Sequence, residues 1–212
     1  MARHPLRSEE RSVVTLDPAR MLSYGSVRLV REAESSGLPV QTRRGGLSQF
    51  LTTPAFLTNN AVQEYAELVG SHHDIYDDQG RANVDGLVSR IGGTSEYAVD
   101  SESLHVRSTG DFTIFIPHHT SARRDRFTKA HELGHYFLHY LYPKVSGEAR
   151  FGRGARDRAE TEANVFASAL LMPSEQFKRA YAEVGGDVWQ LASRFDVSPR
   201  AAEVRAEVLG LR

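Results

Sequence analysis

RFTKAHELGHYFLHY, residues 126–140, sets His131, His135 and His139 at successive intervals of four. Residues four apart share one face of a helix, with side chains starting about 5–6 Å from each other. His131 and His135 can therefore converge on one ion. Glu132 stands one step round the helix, about 100° away, so it is not aligned as a ligand. It can instead reach a water held on the ion and take its proton, the division of labour of a His-Glu-x-x-His zinc hydrolase. The flanks support the helix: Ala130, Leu133, Phe137, Leu138 and Leu141 supply buried sides, and Pro143 ends it. Gly134 in mid-helix costs about 1 kcal/mol relative to alanine, which predicts close approach of another backbone or a ligand there. His139 lies a further rise of about 12 Å from His131, whereas zinc–nitrogen bonds are about 2 Å. It therefore falls outside the ligand set, in packing or in support of a ligand.

A catalytic zinc usually takes three protein ligands and keeps one open position. The third is sought downstream, in RDRAETEANVFASALLMP, residues 156–173. Ala159, Ala163, Phe166, Leu170 and Leu171 form an apolar helical stripe, and Pro173 stops it. Glu160 and Asn164 share a face beside that stripe. Glu160 can bind the metal, and Asn164 can hydrogen-bond a ligand histidine and hold its orientation. Glu162 is the rival ligand. It points about 200° away from Glu160 and is expected to be an exposed acid at the helix start, favoured by the dipole.

Composition narrows the alternatives. With 212 residues, 40% hydrophobic and 25% charged, the chain has ordinary globular character and material for a core. No cysteine is present, so disulfides and thiolate metal sites are excluded and any metal must use His, Asp or Glu. The formal charge of −1 gives no general attraction to nucleic acid or anionic membrane. The opening MARHPLRSEERSVVTLDPAR has no apolar core for a signal peptide, and no run approaches the roughly 20 apolar residues of a membrane span. A cytoplasmic location is the expectation.

Periodicity suggests helices, a small sheet, then helices to the end: an α+β class. A helix is expected from Asp17 to Ser35, and another in TNNAVQEYAELVGSHH, capped by Asn59 or Asn60. His72 and His73 at its end are read as exposed histidines beside the dipole. VDGLVSRIGG is a third helix closed by glycine. EYAVD, SLHVRS and DFTIFIP alternate as two or three antiparallel strands, with Gly110 and Asp111 in a turn. Three parts are expected: an N-terminal extension over 1–55, partly flexible with one helix; a zincin-like metallopeptidase domain over 56–180; and a C-terminal helical hairpin over 181–212 packed on it.

RFTKAHELGHYFLH followed by ETEANVFASALLMP resembles the ImmA/IrrE family of zinc metallo-endopeptidases. The shared pattern is Arg-Phe-Thr, His-Glu-Leu-Gly-His with a trailing Leu-His, Glu-x-x-Ala-Asn-x-Phe-Ala and Leu-Met-Pro. The resemblance implies a gluzincin-like site in which His131, His135 and Glu160 bind Zn2+ and Glu132 is the base. It also implies intracellular proteolysis of a specific regulatory partner, a helix-turn-helix repressor or antitoxin-like protein. In peptidases of this architecture the strand before the metal helix is an edge that receives the substrate backbone, the place DFTIFIP occupies; His118 and His119 follow it.

DVWQLASRFDVSPRAAEVRAEVLGL, residues 187–211, is patterned as two helices about a turn, with Val197 plugging the core. Arg200 and Arg205 on the second helix are balanced by Glu203 and Glu207, which argues for packing or substrate docking over a DNA-reading face. The alternative to an active peptidase is a regulatory protein that binds a partner or DNA on a peptidase-like fold without hydrolysis. Glu132 favours the enzyme, since a binder needs no base.

Overall fold

The computed structural model describes residues 53–99, 102–153 and 157–212. The expected helix from Asp17 to Ser35 lies outside the described residues. Two helices come first, α1 (Asn59–His72) and α2 (Val84–Arg90), followed by strands β1 (Gly93–Ala98), β2 (Glu102–Ser108) and β3 (Asp111–Pro117). Helix α3 (Ala122–His135) continues into a wider π-helical segment, Tyr136–Leu141. A short strand β4 (Ala149–Gly152) precedes α4 (Arg158–Leu171), α5 (Ser174–Glu183), α6 (Val188–Phe195) and α7 (Pro199–Val208). The α+β reading holds.

Helix starts follow side-chain chemistry. Thr58, and not Asn59 or Asn60, caps α1 by accepting from Ala61 N–H at 3.2 Å; its extended backbone suits the cap position. Asn83, Ser121, Asp157, Asp187 and Ser198 cap α2, α3, α4, α6 and α7 in the same way. Asp196, with φ of 52°, closes α6 in the left-handed region and turns the chain into α7; Val197 is buried beneath that turn, as expected.

The sheet corrects the sequence reading in three ways. Its order is β1-β3-β2-β4, so β3 is an interior strand and not an edge. β2 and β3 form the expected antiparallel hairpin, but β1 runs parallel to β3. β4 was hidden in a stretch read as helical: ARFG is too short for a period to show, and it becomes a strand by pairing with β2. Among the described residues the edge strands are therefore β1 and β4.

One apolar face of the sheet, with Leu104, Val106, Phe112, Ile114 and Ile116, is buried in the same core as α3. On the other flank α3 packs on α4, and α4 on α1. Rings of Tyr65, Phe137 and Phe166 meet at centroid separations of 5.7–6.2 Å and join α1, the π segment and α4. Each such pair adds about 0.5–1.5 kcal/mol beyond its buried area, and together they fix how α3 and α4 face each other. Gly110 N–H donates to Tyr136 Oη at 2.9 Å, tying the β2–β3 turn to the π segment.

His73 is buried and not exposed as its position suggested. The chain turns directly after it at Asp74, with φ of 49°. Burial, with the charges of His72 and Arg90 acting in the same direction, pulls its pKa down to about 4.

Candidate metal centre

The helical step of four places His131 Nε2 and His135 Nε2 3.1 Å apart. Glu160 arrives from α4 in the opposite wall, with Oε2 3.3 Å from His131 Nε2 and Oε1 3.1 Å from His135 Nε2. Two ligands at a tetrahedral angle on zinc, with bonds of about 2.0–2.1 Å, stand about 3.3–3.4 Å apart. The triangle therefore has nearly the edge lengths of a tetrahedral site. It is the one group of three or more metal-competent side chains gathered this closely among the described residues.

The helices can approach this closely because Gly134 has no side chain. A Cβ there would sit 2.9 Å from Ala163 Cα and 3.0 Å from its carbonyl oxygen. Ala163 stands between Glu160 and Asn164, so this contact sets the distance between the two halves of the triangle. The approach anticipated from the mid-helix glycine is thus that of the α4 backbone.

Electrostatics favour positive charge at the centre of the triangle. Burial opposes ionisation of Glu160, but the imidazoles of His131 and His135 overcome it and hold the carboxyl down to about 2. Burial also opposes the charged form of His131, yet the contact with Glu160 and the charges of Glu132 and Glu160 raise its pKa above the ordinary value. Asn164 stands where a tautomer must be chosen: His131 Nδ1 lies 3.0 Å from Asn164 Oδ1. The amide oxygen can only accept, so Nδ1 carries the proton and Nε2 offers its lone pair inward.

Glu132 is buried beside the triangle, and its Oε2 has no hydrogen-bond partner among the described residues. An unpaired buried polar atom costs about 1–3 kcal/mol. Its retention beside three converging donors fits a site that works on a polar ligand, and the donor set fits a divalent cation.

One residue departs from expectation. Glu162 is not an exposed acid: its side chain is 2% exposed, and Oε2 lies 3.1 Å from His139 Nε2. The start of α4 lies under the segment at residues 55–57, and Ala55 N–H donates to Glu162 Oε2 at 2.7 Å. The helical period places Glu162 away from Glu160 correctly; nothing local signals what covers it. His139 lies outside the triangle but touches it, with Nδ1 3.0 Å from His135 Nδ1. Burial and the neighbouring His135 pull His139 below its ordinary pKa. His118 and His119 line a shallow depression with Val99 and Arg153 at one end of the sheet and are not part of the triangle.

Two features around the site escaped the sequence reading. Phe151 of β4 lies against the ring of His135, with centroids 5.3 Å apart, which makes β4 an edge strand in contact with the triangle. A groove of about 690 Å³ runs along α3 past Arg124, Phe127 and Thr128, meets Asn164, and is walled on its far side by Ser198 and Arg200 of the C-terminal hairpin. Arg205 cannot contribute to an exposed basic face. It is fully buried, donating to Met172 O and Gln63 Oε1 and pairing with Glu67 at 3.0 Å.

The model of the IrrE N-terminal-like domain, peptidase family M78, matches residues 95–207, just over half of the chain. Metallopeptidase ImmA of Bacillus subtilis (strain 168) is 27% identical over 107 residues, covering 50% of this chain and 62% of that protein. The matched span contains α3, Glu160 and nearly all of the hairpin, and with them every member of the triangle. The chain belongs to the ImmA/IrrE family of peptidases, M78.

Proposed function

We propose that this protein is a zinc-dependent endopeptidase that cleaves a specific regulatory protein inside the cell, a helix-turn-helix repressor or antitoxin-like protein. The observation that carries the catalytic part is the near-tetrahedral triangle of His131, His135 and Glu160 with the unpaired Glu132 carboxylate beside it. The substrate class follows from the resemblance to the family.

Zinc, when bound, supplies Lewis acidity that acidifies water and polarises a carbonyl. The protein does the rest. His131 and His135 present Nε2 lone pairs, and Glu160 brings the negative charge that balances the cation. Asn164 keeps the His131 ring from turning. Glu132 Oε2 is the base: it accepts a proton from the attacking water and returns it to the amine of the leaving peptide. Phe151 closes one side of the site against solvent. An extended substrate would pair with the edge strand β4 and run into the groove that reaches Asn164, where Phe127 offers an apolar surface and Arg124 a positive charge. The hairpin, as one wall of that groove, would hold a docked partner so that the scissile segment is presented at high effective concentration.

The test is cleavage of small helix-turn-helix proteins encoded beside the gene, by the zinc-loaded protein and by Glu132→Gln, with cut sites read by mass spectrometry. Glutamine keeps shape and hydrogen bonding but cannot take the proton. Cleavage at one or a few bonds by the wild type, with loss of at least 100-fold in the variant, is the expected result. Equal turnover by both would remove Glu132 as the base. Rapid digestion of unfolded casein by the wild type would remove the specific substrate.

A further inference from the structure

We propose that Glu162 and His139 form a hydrogen-bonded relay that fixes the tautomer and ring orientation of His135, making both of them positioning residues for the metal centre. The proposal rests on the metal reading given above. Its evidence is a continuous line of contacts: His135 Nδ1 to His139 Nδ1 at 3.0 Å, and His139 Nε2 to Glu162 Oε2 at 3.1 Å. The side chains of His139 and Glu162 are 1% and 2% exposed, so water does not compete for these bonds.

With both rings neutral, the line has two possible proton arrangements. In the first, His135 carries its proton on Nδ1 and donates it to His139 Nδ1; His139 carries its proton on Nε2 and donates it to Glu162. In the second, His139 Nδ1–H donates to His135, whose proton then lies on Nε2 and points into the triangle, where it blocks a metal. The second also leaves the bare Nε2 of His139 facing the carboxylate, two acceptors 3.1 Å apart. An ionised carboxylate only accepts. Glu162 therefore selects the first arrangement, the one that turns the His135 lone pair on the ion.

Glu162 is held in that role from outside. Ala55 N–H donates to Oε2 at 2.7 Å and Arg158 Nε–H to Oε1 at 3.1 Å. Arg158 in turn donates to Leu57 O at 3.0 Å. Every partner offers a proton, which keeps the carboxylate an acceptor. His139 reaches it from within the π-helical segment, a widened turn of a kind found often at functional sites. His131 has the simpler arrangement, a single amide at Asn164.

The experiment measures zinc affinity by chelator competition in the full chain for wild type, Glu160→Ala, Glu162→Gln and Glu67→Gln. The amide in Glu162→Gln keeps size and hydrogen bonding but can present either its oxygen or its NH2 to His139, so the choice of tautomer is lost. Zinc affinity should fall about 10–100-fold, the usual effect of losing a group that supports a ligand. Glu67→Gln, which removes the charge partner of buried Arg205, should lower stability and leave affinity within a few fold. Long-range proton–nitrogen spectra of 15N-histidine-labelled wild type at mildly alkaline pH give the second readout. The expected spectra place the His139 proton on Nε2. His139→Leu replaces Glu162→Gln if that variant does not fold. Wild-type affinity in Glu162→Gln while Glu160→Ala loses zinc would overturn the relay and leave the metal site standing. Wild-type affinity in Glu160→Ala would overturn the metal site, and the relay is then decided by the spectra. A His139 proton on Nδ1 overturns the relay in either case.

Discussion

Gly134→Ala tests what sets the geometry of the centre. The new Cβ would lie 2.9 Å from Ala163 Cα, 3.0 Å from its carbonyl oxygen and 3.3 Å from its Cβ. Carbon atoms in ordinary contact stand about 3.5–4.0 Å apart, so α4 must retreat from α3 by about 0.6–1.1 Å. Backbone atoms make up the nearest contacts, and no rotamer change relieves them. The three side chains of the triangle divide across that same interface, with His131 and His135 on α3 and Glu160 three residues before Ala163 on α4. Zinc sites tolerate departures of about 0.2 Å in bond length, so a shift of this size breaks the triangle unless Glu160 re-extends. Stability is a poor reporter. Alanine gains about 0.8–1.0 kcal/mol of helix propensity over glycine, against about 1–3 kcal/mol for overpacking, and the net change is small. Metal affinity is the informative measurement. Zinc binding by chelator competition should weaken at least 10-fold while the thermal midpoint moves by only a few degrees. An alanine variant with unchanged affinity and a raised midpoint would show that the helices give way without disturbing the site, and the reasoning would fail.

Arg205→Leu should lower unfolding free energy by about 3 kcal/mol in denaturant titrations, the lower end for a broken buried pair, because Glu67 retains its bonds to Ser174; a loss below about 1 kcal/mol would mean that this arginine does not anchor the hairpin. The lowered pKa of His73, about 4, gives a sign for pH dependence. Between about pH 4 and 6.5 the unfolded chain binds the proton and the folded chain does not. The stability is therefore fully present above about pH 6.5 and falls as the pH drops, by about 2 kcal/mol near pH 5 at 1.36 kcal/mol per unit. His73→Leu should flatten that part of the profile, and an unchanged slope would place its origin elsewhere.

The sequence alone determined what depends on neighbours along the chain. The step of four between His131 and His135, the offset of Glu132, and the pairing of Glu160 with Asn164 are consequences of helical pitch, and the structure places those side chains where the pitch requires. Gly134 was legible for the same reason: a mid-helix glycine has a propensity penalty that only a close neighbour explains. What tertiary structure decided was everything set by residues far apart in sequence. β3 looks like an edge until β1 pairs with it in parallel, and β4 has no periodicity of its own until β2 supplies its hydrogen bonds. Glu162 reads as a solvated acid at a helix start because the segment that buries it lies 107 residues earlier. Arg205 reads as an exposed cation because Glu67 lies 138 residues away. A helical period specifies the direction in which a side chain leaves its own axis; whether protein or water occupies that direction is decided by the rest of the fold.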